Sequence, residues 1–229
     1  MYDRDEKYSL YEVYDTVRRA EFKERLQRIS ELKPHGRLLD IGCSTGEFLE
    51  LVSRTGRYAI EGAEISQEAA RKASERLKVD VFCGTLEELP SSPCSYDVIT
   101  AWEIIEHIPD PVAFLRRVHY LLKPHGICCL STPNTNKLKN KISQRSRTSF
   151  FIPPEHSLYF SKTNLLQLLS RVGLDVLRVD VSSKSLLYRF NLAEGTSRKI
   201  FGPVFDGLAL LGFQGYNIVA YGRKTTNFA

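Results

Sequence analysis

Between residues 36 and 131, short apolar runs alternate with stretches of helix length and helical periodicity. Residues 37–41, 58–65, 79–83, 96–101 and 126–131 read as strands, while 47–53, 67–77 and 111–122 read as helices. The strands are contiguous apolar runs, the pattern of strands covered on both faces. Strands separated by helix-length connections form βαβ units, and right-handed crossovers place helices on both faces of a parallel sheet. The alternation therefore excludes an all-helical bundle and an all-β sandwich.

Composition narrows the class further. The chain has 229 residues, 42% hydrophobic and 26% charged, which fits one large α/β domain and excludes collagen-like, disordered and disulfide-scaffold proteins. Its cysteines, Cys43, Cys83, Cys94, Cys128 and Cys129, are odd in number and contain no C-x-x-C pair. Reduced thiols in a cytoplasmic protein are the expectation. No apolar run reaches the roughly 18 residues of a membrane span, and residues 1–7 are too polar for a secretory leader.

Outside the alternating region, residues 9–32 read as a helix with Val13, Val17, Phe22, Leu26 and Ile29 on its apolar side, stopped by Pro34 and Gly36. Residues 1–35 are thus an N-terminal helical cap, from which Arg18 or Arg19 could reach the site. A helix over 161–172, capped by Ser161, precedes closing strands at 176–181 and 217–221. Two connections, 133–160 and 183–214, are long enough to be functional substrate-side insertions. The first carries Lys137, Lys139, Lys141, Arg145 and Arg147 without an acid, which accounts for the net charge of +5. Such a segment attracts phosphates or an anionic membrane surface, or is simply a solvated loop. The second is rich in Leu, Phe and Gly and interrupted by Asp206, so it is either a lid or interfacial segment or a packing helix.

The chemistry concentrates at strand ends. In Leu38-Leu39-Asp40-Ile41-Gly42-Cys43-Ser44-Thr45-Gly46-Glu47, a strand ends in an acid and a small-residue turn leads into a helix. Gly42 and Gly46 let the backbone approach a ligand closely. A second acid, Glu64, closes the next strand, where a carboxylate can accept hydrogen bonds from ribose hydroxyls. The turn departs from the G-x-G-x-x-G of dinucleotide sites. It resembles motif I of the class I S-adenosylmethionine-dependent methyltransferases. Gly84-Thr85-Leu86-Glu87-Glu88-Leu89-Pro90 resembles their adenine-binding turn, Tyr96-Asp97-Val98-Ile99 the strand under the methionine end, and Leu122-Lys123-Pro124-His125-Gly126 their turn before strand five.

The resemblance covers about residues 36–182 and implies a single domain over 1–229. The implied fold is a Rossmann-like three-layer α/β sandwich, with a seven-stranded, mostly parallel sheet whose last strand is antiparallel. It implies S-adenosylmethionine contacts from Asp40, Gly42, Ser44, Gly46, Glu64, Ile65, Thr85, Leu86, Ala101 and Trp102. Ser44 stands where the family usually has Gly. Thr85 stands where Asp commonly accepts from the adenine amino group, and it can offer a hydroxyl or its backbone instead.

Just after the fourth strand comes Glu103-Ile104-Ile105-Glu106-His107. Its i, i+3, i+4 spacing would put two carboxylates and an imidazole on one face of a helical turn, a donor set suited to a divalent cation. It resembles the E-x-x-E-H motif of the ubiquinone-pathway O-methyltransferases and of small-RNA 2′-O-methyltransferases, in which a downstream histidine joins. His156 occupies the comparable place. That resemblance implies magnesium or manganese held by Glu103, Glu106, His107 and His156; otherwise Glu106 and His107 shape the pocket and serve as catalytic acid–base groups. The expected function is methyl transfer to the hydroxyl of a small-molecule or lipid-like acceptor, with peripheral membrane contact. An RNA 2′-O-methyltransferase and a non-catalytic cofactor-binding protein are the alternatives. No separate RNA-binding domain is visible, which weighs against nucleic acid.

Overall fold

The computed structural model describes residues 4–135, 157–182 and 217–226, with side chains from residue 18 onward. Helix α1 (Arg4–Leu32) precedes β1 (Gly36–Ile41), α2 (Glu47–Ser53), β2 (Tyr58–Glu64), α3 (Gln67–Leu77), β3 (Phe82–Cys83) and β4 (Tyr96–Trp102). A 3-10 turn (Ile105–His107), α4 (Pro111–Leu121), β5 (Leu122–Pro133), α5 (Lys162–Arg171), β6 (Leu174–Ser182) and β7 (Asn217–Lys224) follow. The seven strands form one sheet in the order β3-β2-β1-β4-β5-β7-β6. Strands β1 to β5 pair in parallel, and β7 runs antiparallel to both β5 and β6. This is the doubly wound architecture expected from the sequence.

Side-chain alternation sorts the core into two layers. Leu39, Ile99 and Cys128 face one side, with Phe114, Leu115, Val118 and Leu121 of α4 and Leu165 and Leu169 of α5. Their neighbours Leu38, Val98 and Cys129 face the other, with Ile29 of α1, Phe48, Leu49 and Val52 of α2, and Ala70 and Ala73 of α3. Both faces are covered, which is why these strands read as unbroken apolar runs.

Helix starts follow local chemistry. Ser66 caps α3 by accepting from the Ala69 N–H, and Asp110 accepts from the N–H groups of Val112 and Ala113 with Pro111 at the first helical position. Ser161 and Asn164 form a reciprocal capping box on α5.

Two elements differ from expectation. The strand read over 79–83 shrinks to Phe82–Cys83, because Lys78 ends α3 in a left-handed conformation (φ 57°) and the Val81 N–H is taken by the Ser74 hydroxyl at 3.0 Å. The turn read before strand five is instead a bulge inside β5. Pairing with β4 jumps from Tyr96↔Leu122 to Val98↔Ile127, with His125 left-handed at φ 60°.

The chain winds outward from β1 to β3 and then returns to place β4 on the other side of β1. That reversal opens a crevice at the carboxyl ends of β1 and β4, where ligands bind in open α/β sheets. No helix among the described residues is long and apolar enough to cross a membrane. The basic cluster at 137–147, His156 and the whole of the 183–214 insertion lie outside the described residues.

Candidate active site

The β1 turn lies at one side of the crevice. Asp40 is buried and accepts a hydrogen bond from the Thr100 hydroxyl at 2.6 Å. Burial pushes its carboxyl up to about 7; the Thr100 bond and the Arg25 charge oppose that rise, and the Glu64 charge adds to it. The N–H groups of Gly42 and Cys43 both donate to the Ala63 carbonyl, at 2.8 and 3.2 Å, which fixes the turn against β2. Gly42 is left-handed (φ 68°), and a Cβ there would fall 2.1 Å from the Ile104 side chain. Ser44 is also left-handed (φ 50°), which explains why glycine suits that position. A side chain there costs about 1–2 kcal/mol. The Ser44 N–H offsets part of that cost by donating to Glu64 Oε2 at 2.8 Å.

Glu64 is held from two sides. Its Oε2 accepts from Ser44, and its Oε1 accepts from the Ser66 N–H at 2.9 Å, at the cap of α3. Each carboxylate oxygen has a second lone pair, so both remain able to accept from a ligand's hydroxyls. The neighbouring Ile65 is a large apolar side chain that is 72% exposed. On the outer side of β2, the Gly84 N–H donates to the Glu64 carbonyl at 3.0 Å, placing the Gly84–Thr85 turn beside it. The Thr85 N–H and hydroxyl both donate to Glu88 Oε2, at 2.8 and 3.1 Å, and Leu86 is buried in the core below.

One residue of this region escapes the sequence reading. Arg25 of α1 is 7% exposed; its guanidinium lies 4.7 Å from the Trp102 ring centroid and 3.8 Å from the Glu21 carboxylate. Its charge acts on both Asp40 and Glu103, placing a buried cation between the two carboxyl groups. The signal was present in the sequence: Arg25 lies three residues after Phe22 and four before Ile29, on the apolar side of its helix. Arg18, by contrast, pairs with Glu47 at 2.6 Å and fastens α1 to α2. Ala101 and Trp102 are buried, and Trp102 meets Phe48 edge-on at 5.3 Å.

The other side of the crevice departs from expectation. Glu103, Glu106 and His107 do not sit on one α-helical face. Glu103 is left-handed (φ 56°), and only a 3-10 turn follows, over Ile105–His107. Pro109 and Pro111 are the reason: each disfavours helix in the residue before it, and Ile108 and Asp110 are non-helical. Glu106 is then buried, 1% exposed, while His107 is exposed. Among the described residues no three such side chains form a group able to hold a metal ion, so the histidine does not complete the pair.

The two carboxyls remain neighbours in unequal surroundings. Glu103 Oε1 accepts from the Ser131 hydroxyl at 2.5 Å and from the Asn217 amide at 3.4 Å. Among the described residues neither oxygen of Glu106 has a hydrogen-bond partner, although the Thr132 hydroxyl lies near it. Burial, and then the Glu103 charge, push the Glu106 carboxyl up to about 8. Burial also raises Glu103, opposed by the Arg25 charge and the Ser131 bond. One acid is thus held near neutrality with its proton on, beside a better-stabilised one, the pattern that assigns acid and base roles. A buried carboxyl without partners also suits a ligand or cation that would satisfy it.

A family model described as a methyltransferase domain matches residues 14–179. The ubiquinone biosynthesis O-methyltransferase of Ruegeria pomeroyi is 38% identical over 104 residues, covering 44% of this chain and 42% of its own length. That of Neisseria meningitidis serogroup C is 33% identical over 107 residues, covering 44% and 45%. These alignments span less than half of either partner. In structure, a SAM-dependent methyltransferase from Thermotoga maritima, described as a possible histamine N-methyltransferase, superposes with a TM-score of 0.65 at 22% identity and covers 94% of both chains. At that identity the likeness concerns the fold.

Proposed function

The chain belongs to the methyltransferase-domain family, and from that premise we propose that it passes the methyl group of S-adenosylmethionine to an oxygen acceptor. The observation that carries the cofactor reading is Glu64, a strand-end carboxylate oriented by two backbone N–H groups beside a left-handed glycine turn. The ribose lies on Glu64, the adenine over Ile65 toward Thr85, and the methionine end along the β1 turn. The buried Arg25 guanidinium there offers its charge to the methionine carboxylate.

The acceptor oxygen attacks the methyl carbon in line with the departing sulfur. The carbon–oxygen bond forms as the carbon–sulfur bond breaks, and S-adenosylhomocysteine leaves. The sulfonium already activates the carbon, so the protein mainly positions the reactants and removes the acceptor's proton. Glu103, the better-stabilised carboxyl, stands at the strand end to receive it beside the protonated Glu106, with His107 at the exposed rim to pass it to water. A divalent cation such as magnesium or manganese, if taken up by the neighbouring Glu103 and Glu106 carboxyls, would supply Lewis-acid activation of the acceptor hydroxyl; His107 does not join them among the described residues, and His156 lies outside those residues. The oxygen acceptor follows the curated relatives, which are named O-methyltransferases of ubiquinone biosynthesis. Its class is a small or lipid-like molecule with a hydroxyl, reached from a peripheral position on an anionic membrane through the basic 137–147 segment.

The test uses methyl-labelled S-adenosylmethionine with a panel of catechols, aliphatic alcohols and primary amines. Labelled ethers from the hydroxyl compounds are expected, and label appearing only on amines would overturn the oxygen acceptor. Chelator added to the productive reaction is expected to abolish turnover while cofactor affinity, read by calorimetry, stays within about twofold. Undiminished turnover in chelator would leave proton removal to the carboxyls alone.

A further inference from the structure

We propose that Glu88, which need not touch the cofactor, sets the purine specificity of the site by fixing the Thr85 hydroxyl as a pure hydrogen-bond acceptor. The inference deepens the cofactor reading above and rests on it. A threonine hydroxyl has one hydrogen and two lone pairs, so on its own it is ambivalent: it can donate to a purine keto group or accept from a purine amino group. Here that choice is removed. Glu88 Oε2 accepts the Thr85 hydroxyl hydrogen at 3.1 Å and the Thr85 backbone N–H at 2.8 Å. An ionised carboxylate has no hydrogen to give back. Those same two bonds hold the Glu88 carboxyl below its usual range, so it is ionised at neutral pH. The hydroxyl hydrogen therefore points at Glu88, and only lone pairs remain for a ligand.

The placement of the turn makes this matter. Glu64 closes β2, and the sheet order puts the β1 turn on one side of it and the β3 turn on the other. A nucleoside whose ribose sits on Glu64 and whose sulfonium chain runs along β1 must extend its base the opposite way. That path crosses the exposed Ile65, which offers an apolar surface to the ring face, and reaches Thr85. The Gly84 N–H bond to the Glu64 carbonyl ties the two contact points together. Gly84 has a positive φ (156°) that side chains rarely adopt, and a Cβ there would lie 2.8 Å from the Phe82 ring, so glycine suits the start of this turn. A lone-pair-only hydroxyl at the base edge accepts from the 6-amino group of adenine and repels the 6-oxo group of hypoxanthine.

The experiment compares S-adenosylhomocysteine with its 6-oxo counterpart, S-inosylhomocysteine, by calorimetry on the full chain. The wild type is expected to prefer the amino compound. In Glu88→Ala the hydroxyl is free to turn and donate, so the preference should fall about three- to tenfold, the range of one neutral hydrogen bond. Thr85→Val should lose it to the same degree, Thr85→Ser should keep it, and the double variant should be no worse than either single one. Equal weakening of both ligands in Glu88→Ala, with the ratio unchanged, would mean that Glu88 merely braces the turn, and would overturn the proposal. So would a wild type that binds both compounds equally. A folded wild type that binds neither would instead bring down the cofactor reading itself, and this inference with it.

Discussion

Glu64 and Glu106 are both carboxyls at or just beyond the ends of β2 and β4, the two strands that flank β1, yet they live under opposite conditions. Glu64 has a backbone N–H on each oxygen before any ligand arrives. Glu106 is more deeply buried and, among the described residues, has no partner on either oxygen. The cofactor side of the crevice is thus complete within the described chain, and its geometry is paid for by the fold. The acceptor side is left unfinished, with Thr132 Oγ1 and Asn217 Oδ1 also buried and unpaired. A buried unpaired polar group costs about 1–3 kcal/mol. Such a cost on the acceptor side marks where a ligand or a further segment is required.

The strongest way to break this contrast is Gly42→Val. The position is left-handed and a Cβ would overlap Ile104, which itself leads into the Glu103–His107 turn. The strain and overpacking together should cost about 3–5 kcal/mol, read as a lower urea midpoint, and both halves of the site should fail together. Glu64→Ala acts on one half only. It should weaken S-adenosylmethionine roughly 10- to 150-fold, since it removes charge-assisted bonds and frees the Ser44 and Ser66 N–H groups from their anchor. Unchanged affinity by calorimetry would remove Glu64 from the cofactor site. The smallest effect should have the opposite sign. Glu106→Leu replaces an unsatisfied buried carboxyl with an apolar group of similar size, so it should raise stability by about 1 kcal/mol while abolishing turnover. A loss of stability there would show that the carboxyl is satisfied after all.

The same contrast governs what could be read from the sequence. Asp40, Gly42, Gly46 and Glu64 belong to local strand–turn–helix units, where backbone sterics dictate residue type within a few positions, so pattern and structure agree. The caps at Ser66 and Ser161 are legible for the same reason. The E-x-x-E-H segment is not, because i, i+3, i+4 spacing suggests a helical face while Pro109 and Pro111 forbid an α-helix after it. The role of Arg25 is not legible in the same way, since only tertiary packing of α1 against Trp102 buries it. The Thr85–Glu88 bond is local, within a turn that opens on Gly84 with its positive φ.

One backbone detail has a wider reach. The Glu106 carbonyl accepts from the N–H groups of both Ser157 and Leu158, at 3.0 Å each, and Thr135 donates to the Phe160 carbonyl beside the Asn134↔Phe160 bridge. The stretch between residues 135 and 157 therefore leaves and rejoins the sheet through main-chain bonds, which do not depend on its own side chains. Lengthening such a stretch costs only about 0.6 kcal/mol per doubling in loop entropy. The molecule is in that sense a socket: the residues between 135 and 157 can be exchanged for a stretch of different length and chemistry, while the carboxyl turn that anchors its end stays where it is.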